Sequence, residues 1–469
     1  MAEPILSHRV ANVLESAGNT PPPGKRVPFG WEAMTMPATI GWEAPALAGG
    51  WLRVTIASDV REQMRLRAID VASGGQIGVF DIRYGSSLQP FEIPVKAGAI
   101  TNPRAGIRLE LEAGEQPLLL LTGQHAHDAV AAVPPELSPH FLPAEPAVDL
   151  AGRRDAFDRA TRSLASIQPL GWLEGCVLDG LLDARDDAAL RRHLSMYYSP
   201  EGRWVFESPR SEPADGGVHG IEETLPVAAL STVWPNHPAV EASVQFWLSR
   251  ADDDDCVLDG RTTSAEGSYT VAYPMAMIGK MRRDERLLDL AATQLRVRGK
   301  RLWARPDSFY LRHSKPKRGE TDVTHTFCNW SRGIAWHVLG MARTLRVLGN
   351  RPGLDDLRDQ LLRTLDFAIA RRGEDGLWAA FAGEPDTGPD TSGSAGIAAA
   401  IAITSQLGLR DGRELARCTC DAIEKHLTPD GLLGGVVQLN RSGEPLQRGG
   451  YRTIAQFAMG LLLQARLAM

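Results

Sequence analysis

Residues 329–350, NWSRGIAWHVLGMARTLRVLGN, decide how this chain is read. Ile334, Val338, Met341, Leu345 and Leu348 recur at i, i+4, i+7, i+11 and i+14, one apolar stripe of an α-helix. The same period runs through 285–298, 354–371, 394–407, 413–426 and 452–467. Between helices a turn returns: Glu201-Gly202-Arg203-Trp204, Asp375-Gly376-Leu377-Trp378 and Asp430-Gly431-Leu432-Leu433. Glycine there supplies the left-handed residue that ends a helix. Helix–turn–helix units repeated over roughly 300 residues imply a solenoid or a closed toroid, whose loops gather into a concave site.

Toward the N-terminus the period changes. Trp51 to Ala57, Gln63 to Ile69 and Ile107 to Leu111 alternate apolar and polar positions, the pattern of half-buried strands. Gly74-Gly75, Gly85-Ser86-Ser87 and Asn102-Pro103 separate them. Short strands broken by such turns predict a β-sandwich. Trp31, Trp42 and Trp51 read as core or interface tryptophans, with a sugar-stacking face as the alternative. The proline-rich stretch after it carries little periodicity and reads as a linker. The expected organisation is a β-sandwich-like domain over 1–132, a linker over 133–153 and an (α/α)6 toroid over 154–469.

Composition narrows the function. The 469 residues carry a formal charge of −6, which argues against a nucleic-acid partner, since phosphates need a basic face. An anionic small substrate stays open, because a local basic pocket can sit on an acidic protein. Five cysteines without metal-ligand spacing read as reduced thiols. No apolar run approaches a membrane span and residues 1–10 lack the pattern of an export signal. The expectation is a cytoplasmic protein, or a periplasmic one if a signal has been removed.

Four segments of the helical half carry more chemistry than a helix needs. In Gly217–Pro226, Glu222 and Glu223 stand beside His219 at a helix start, where plain helix-dipole complementation is the alternative. In Ala265–Pro274, Glu266 precedes Gly267, with Tyr269 close behind. In Phe309–Lys317, Arg312, His313, Lys315 and Lys317 cluster next to Tyr310, a candidate carboxylate-binding surface. In Asn329–Trp336, Trp330 and Trp336 flank Arg332, a combination suited to sugar stacking and bidentate carboxylate binding.

At this last segment the chain resembles the unsaturated glucuronyl and rhamnogalacturonyl hydrolases, glycoside hydrolase families 88 and 105, which are six-hairpin toroids. The resemblance spans about residues 155 to 469. It rests on Trp330-Ser331-Arg332-Gly333-Ile334-Ala335-Trp336, on Tyr310-Leu311-Arg312-His313, on Gly376-Leu377-Trp378, on Asp390-Thr391-Ser392-Gly393-Ser394-Ala395, and on the Gly-rich closing helix from Gly449 to Ala465. The family uses two aspartates. Alignment of the first motif puts Glu222 in one position. Alignment of the second puts Gly267 in the other, with Glu266 as its neighbour.

The resemblance implies hydration of the C4=C5 bond of a terminal unsaturated uronic acid on an acidic oligosaccharide, with no metal or organic cofactor. Glu222 and Glu266 would be the carboxyl pair, Arg332 and His313 the carboxylate binders, and Trp330 and Trp336 the sugar floor. His219, Tyr269, Tyr310, Asp390 and Ser392 complete the expected substrate-binding set. Three alternatives accompany this reading. One is an inverting glycosidase using the same carboxylates. Another is a polysaccharide lyase using Tyr269, Tyr310, His219 or His313. The third is a non-catalytic carbohydrate-binding protein.

Overall fold

The computed structural model describes residues 8–44, 47–204, 211–212, 215–317 and 319–469. The stripe at 334–348 lies on the helix Ser331–Leu348, of whose 18 residues 16 are buried. Burial on nearly every face marks a helix enclosed by others rather than one lying on a surface. Thr391–Gln406 is enclosed in the same way. Together with Trp172–Asp183, Val227–Val233, Tyr273–Arg282 and Gln456–Leu467 they form a ring in which each helix packs on the next and the last returns to the first. Outer helices alternate with them: Leu150–Arg162, Asp187–Leu194, Pro238–Arg250, Glu285–Leu302, Asp355–Ile369 and Arg413–Glu424. This is the expected (α/α)6 toroid. Close approach of the inner segments requires glycine at two contacts. A Cβ on Gly340 would stand 2.2 Å from the Ser268 carbonyl, and one on Gly460 2.3 Å from that of Cys176. The recurring turn glycines, Gly202, Gly376 and Gly431, all have positive φ, as the sequence demands.

The axis of the ring is polar. The Tyr269 hydroxyl donates to Asp179 at 2.5 Å, and Tyr273 donates to the same carboxylate at 3.2 Å. Arg343 reaches Asp183 at 2.7 Å, Gln464 at 2.9 Å and the Tyr273 hydroxyl at 2.9 Å. Asp179, Tyr269, Tyr273 and Arg343 are all buried.

The N-terminal region is a sandwich of two antiparallel sheets, with a two-stranded ribbon, Trp31–Thr35 with Leu119–His125, beside them. Asn12–Ser16, Ala38–Gly41, Ile107–Ala113, Gln63–Asp70 and Gln76–Arg83 form one, in that spatial order. Arg9–Val10, His140–Pro143, Gly50–Thr55 and Pro90–Val95 form the other. Leu52, Val54, Leu66, Ile82, Ile93 and Leu109 fill the space between them. Trp31 and Trp42 are core residues, each with its indole N–H on a backbone carbonyl.

Two boundaries need correction. The linker expected over 133–153 contains His140–Pro143, a strand held between Arg9–Val10 and Gly50–Thr55, and the first helix begins at Leu150. The surrounding prolines masked a short strand whose side chains are buried on both faces. The helical half also contains a β-hairpin, Ser308–Ser314 with Thr324–Cys328, edged by Thr262–Ser264. Phe309 and Leu311 are buried while Tyr310 and Arg312 are half-buried, a period of two that the density of charge obscured.

The two domains are joined by buried polar contacts. Gln89 Nε2 donates to the Ile454 carbonyl, Gln456 Nε2 to that of Leu88, and Gln438 Nε2 to that of Arg83. All five cysteines are free thiols. Among the described residues no helix is long and apolar enough to cross a membrane.

Candidate active site

The starts of the inner helices converge. The Trp172 ring meets Trp336 and Phe457 edge-on, at centroid distances of 5.2 and 4.9 Å, and Arg332 lies over Phe457. Above them opens a cavity of about 500 Å³, lined from the toroid by Trp172, Glu222, Asp259, Arg312 and Arg441 and from the sandwich by Arg61. Its size suits a small oligosaccharide fragment.

Glu222 stands on the single turn Ile221–Thr224 that leads into Val227–Val233. It is half-buried, and among the described residues nothing donates a hydrogen bond to its carboxyl group. Burial, then the charges of Glu266 and Asp259, push that carboxyl up to about 7 against the pull of Arg312 and Arg441. Such a group is a proton donor near neutral pH.

Glu266 sits at the end of the short strand Thr262–Ser264. The Ser264 hydroxyl donates to its Oε2 at 2.8 Å, while the Glu266 amide donates back to that hydroxyl at 3.0 Å. Position 267 faces elsewhere. A Cβ there would lie 2.2 Å from Nη2 of Arg298. Arg298 is fully buried and donates to Val257 O at 2.7 Å, Gln294 Oε1 at 2.7 Å and Ser264 O at 3.2 Å. A side chain at 267 would therefore collide with the wall. Glu266 is the neighbour whose charge acts on both Glu222 and Arg332.

Several expected site residues have other occupations. Arg332 is 1% exposed and donates to the carbonyls of Val437 at 2.7 Å and Gln438 at 2.6 Å, so its guanidinium is not free for a substrate carboxylate. Trp330 stacks beneath that guanidinium at 4.6 Å and is buried, as is Trp336. Neither ring offers a face to a sugar. Asp390 caps the helix Thr391–Gln406 by accepting from the amides of Ser392 and Gly393, and the Ser392 hydroxyl donates to the same carboxylate at 2.7 Å. Tyr269 belongs to the axis. His313 contacts His325 at 3.1 Å, and Tyr310 packs on the same imidazole. Neither lines the cavity. His219 is at the rim, exposed and bound to Asp215 at 2.8 Å, which raises its imidazole above the ordinary range.

The cavity contains groups the sequence reading passed over. Trp172 is the half-buried aromatic of the floor. Arg312, noted only as part of a basic cluster, projects from the hairpin into the cavity, and among the described residues its guanidinium has no hydrogen-bond partner. Arg441 pairs with Asp59 of the sandwich, and Arg61 pairs with the same carboxylate at 2.5 Å. The period of two across Phe309–Arg312 was the available signal for Arg312. Nothing local in Asp59 or Arg61 announces a contact with residues almost 400 positions away.

Residues 264–468 match the model of Glycosyl Hydrolase Family 88. That span begins just before Glu266 and includes the hairpin, and it leaves out Glu222. No curated protein matches the sequence. Among solved structures, a possible member of the GH105 family from Salmonella enterica subsp. enterica serovar Paratyphi A aligns at TM-score 0.57 and 15% identity, over 69% of this chain and 95% of that one. A glycosyl hydrolase family 88 protein from Bacteroides vulgatus aligns at TM-score 0.52 and 14% identity, over 68% and 98%. The unsaturated glucuronyl hydrolase of Bacillus sp. GL1 aligns at TM-score 0.50 and 17% identity, over 68% and 96%. At such identities the structural likeness speaks for the toroid alone, and the match to family 88 covers residues 264–468, so over that part the chain is similar to a glycoside hydrolase.

Proposed function

We propose that the enzyme hydrates the C4=C5 double bond of a terminal unsaturated uronic acid and so releases the rest of an acidic oligosaccharide. The supporting observation is Glu222, a carboxyl group that faces the cavity, lacks a hydrogen-bond donor and is held up to about 7. Its proton goes to C4. Water adds at C5, its departing proton received at the carboxylate pair, where Glu266 is the partner. The C5 hemiketal opens to a ketone, the ring oxygen becomes a hydroxyl on C1, and the C1 hemiacetal expels the aglycone. Arg312, rather than the buried Arg332, is the cation for the substrate carboxylate, with Arg441 adding positive charge beside it. Trp172 supplies the apolar floor. The lyase alternative loses its best-placed phenol, because Tyr269 is buried with its hydroxyl on Asp179.

The test uses oligosaccharides carrying a non-reducing unsaturated uronic acid from a lyase digest. Loss of the double-bond absorbance, matched by release of the shortened sugar, is the expected result. Unchanged absorbance on glucuronyl and galacturonyl substrates alike would overturn the proposal. A rise in absorbance on intact polysaccharide would replace it with a lyase.

A further inference from the structure

On the far side of the domain junction a second group of side chains meets, apart from the cavity. His8 precedes the first strand, His140 lies on the strand His140–Pro143, and Asp430 belongs to the last recurring turn of the toroid. One ligand atom from each, an imidazole nitrogen of His8 and of His140 and an Asp430 oxygen, fall within 4.8 Å of one another. His8 Nε2 is 3.0 Å from Asp430 Oδ2, close to the edge of roughly 3.3 Å that a tetrahedral zinc site has between ligand atoms.

The tautomer of His140 is fixed by its surroundings. Its Nδ1 is 2.8 Å from the Ser138 carbonyl. A carbonyl only accepts, so Nδ1 carries the hydrogen and Nε2 presents a bare lone pair. That Nε2 is buried, and among the described residues nothing donates to it. A lone pair enclosed without a donor is unfavourable unless something electrophilic completes it. A histidine whose other nitrogen is anchored on a backbone carbonyl is how proteins prepare a metal ligand.

The outer layer agrees. Arg53 donates to Asp430 Oδ2 at 2.5 Å and to Oδ1 at 3.1 Å, and the Thr428 hydroxyl donates to Oδ1 at 2.7 Å. Glu92 accepts from the other side of Arg53 at 2.8 Å. The Asp430 carboxylate is thus held in place by Arg53, which is itself anchored on Glu92.

We propose that His8, His140 and Asp430 bind a divalent transition ion of the zinc class, fastening the N-terminal strand and the sandwich to the toroid. Arg53 is the positioning residue for the Asp430 carboxylate. Two neutral imidazoles and one carboxylate leave a fourth position for water, and the donor set excludes calcium and magnesium in favour of ions that accept nitrogen.

The experiment uses the full chain stripped with a chelator. Cobalt(II) is titrated in and the visible bands of four-coordinate cobalt are followed, with zinc added afterwards to displace them. We expect saturation at one equivalent, bleaching by zinc, and a zinc-dependent rise in the thermal midpoint. His8→Ala, at the N-terminal edge of the site, should weaken cobalt binding about 100-fold and remove the thermal response while keeping the native circular dichroism. His140→Ala should do the same if it folds. Absence of the cobalt spectrum at one equivalent in the native chain would overturn the proposal. So would an unchanged spectrum in His8→Ala, which would put the ion elsewhere.

Discussion

The axis of the toroid and the cavity at its mouth are built from the same kinds of residue and use them in opposite ways. Along the axis, Asp179, Asp183, Tyr269, Tyr273 and Arg343 satisfy one another. In the cavity, Glu222 and Arg312 face open space without hydrogen-bond partners among the described residues, and Glu222 is repelled by Asp259 on the same wall and by Glu266, which does not line it. Buried charge that is fully paired holds structure, whereas charge left unpaired at a cavity wall is poised for a ligand. Arg332 and Arg312 show the same division within one motif region. The first is locked on carbonyls, and the second is free to meet a carboxylate.

The largest expected effect breaks the cavity side of the comparison. Glu222→Gln keeps shape and polarity but removes the transferable proton, and should lower kcat by roughly 10³–10⁴-fold while substrate still binds. Activity should also fall as pH rises through about 7, the value to which burial and the neighbouring carboxylates push Glu222. A variant retaining a tenth of native turnover, measured by loss of the double-bond absorbance, would move the acid role elsewhere.

On the axis side, Arg343→Met should destabilise the fold by about 3–5 kcal/mol, because it leaves Asp179 buried without its cation and Asp183 with Arg346 alone. The loss should shrink in mild acid. Burial and the Asp183 charge, opposed by Arg343, hold Asp179 up to about 6, so protonation there relieves the unpaired charge. Denaturant unfolding at two pH values measures both. An equal loss at pH 5 and pH 8 would mean that packing rather than charge sets the effect.

These contrasts explain what could be read from the chain. The period of 3.6 across 334–348 carries the toroid because an inner helix must be apolar nearly all round, and Glu222 stood out as a carboxylate at a helix start. Trp330, Arg332, Trp336, Asp390 and Ser392 were equally visible, but as a motif whose role their spacing cannot give. Their side chains point below the cavity and brace it, and only three-dimensional burial separates bracing from binding. Trp172, Arg312 and Arg441 gained meaning through contacts distant in sequence. Arg61 came from a domain with no catalytic pattern of its own.

Smaller effects sharpen the boundary between wall and cavity. Arg312→Ala should raise KM about 10- to 100-fold with a lesser change in kcat, the signature of lost carboxylate binding. Arg332→Lys should instead lower stability, since Lys cannot reproduce two guanidinium contacts to the carbonyls of Val437 and Gln438. The opposite pattern in the two variants would reverse the assignment. Gly267→Ala should cost about 1–3 kcal/mol, because its methyl meets the buried Arg298. A neutral outcome in thermal unfolding would show that Arg298 can withdraw and that position 267 has room for a side chain.

The smallest effect is the most direct measure of what the cavity gives up in stability for reactivity. In the folded chain Glu222 holds its proton up to about 7, above the ordinary carboxyl value of 4.5. Its contribution to stability is therefore fully present below that ordinary value and is lost as pH rises through about 7, where the carboxylate must be borne beside Glu266 and Asp259. Glutamine is neutral throughout. Glu222→Gln should match the native chain in thermal unfolding near pH 4. At pH 8 it should exceed it by about 1–2 kcal/mol, less than the full shift implies because the cavity admits water. A gain of the same size at both pH values would come from packing. No gain at pH 8 would mean that Glu222 is ionised without strain, and the contrast between a satisfied axis and a frustrated mouth would lose its central residue.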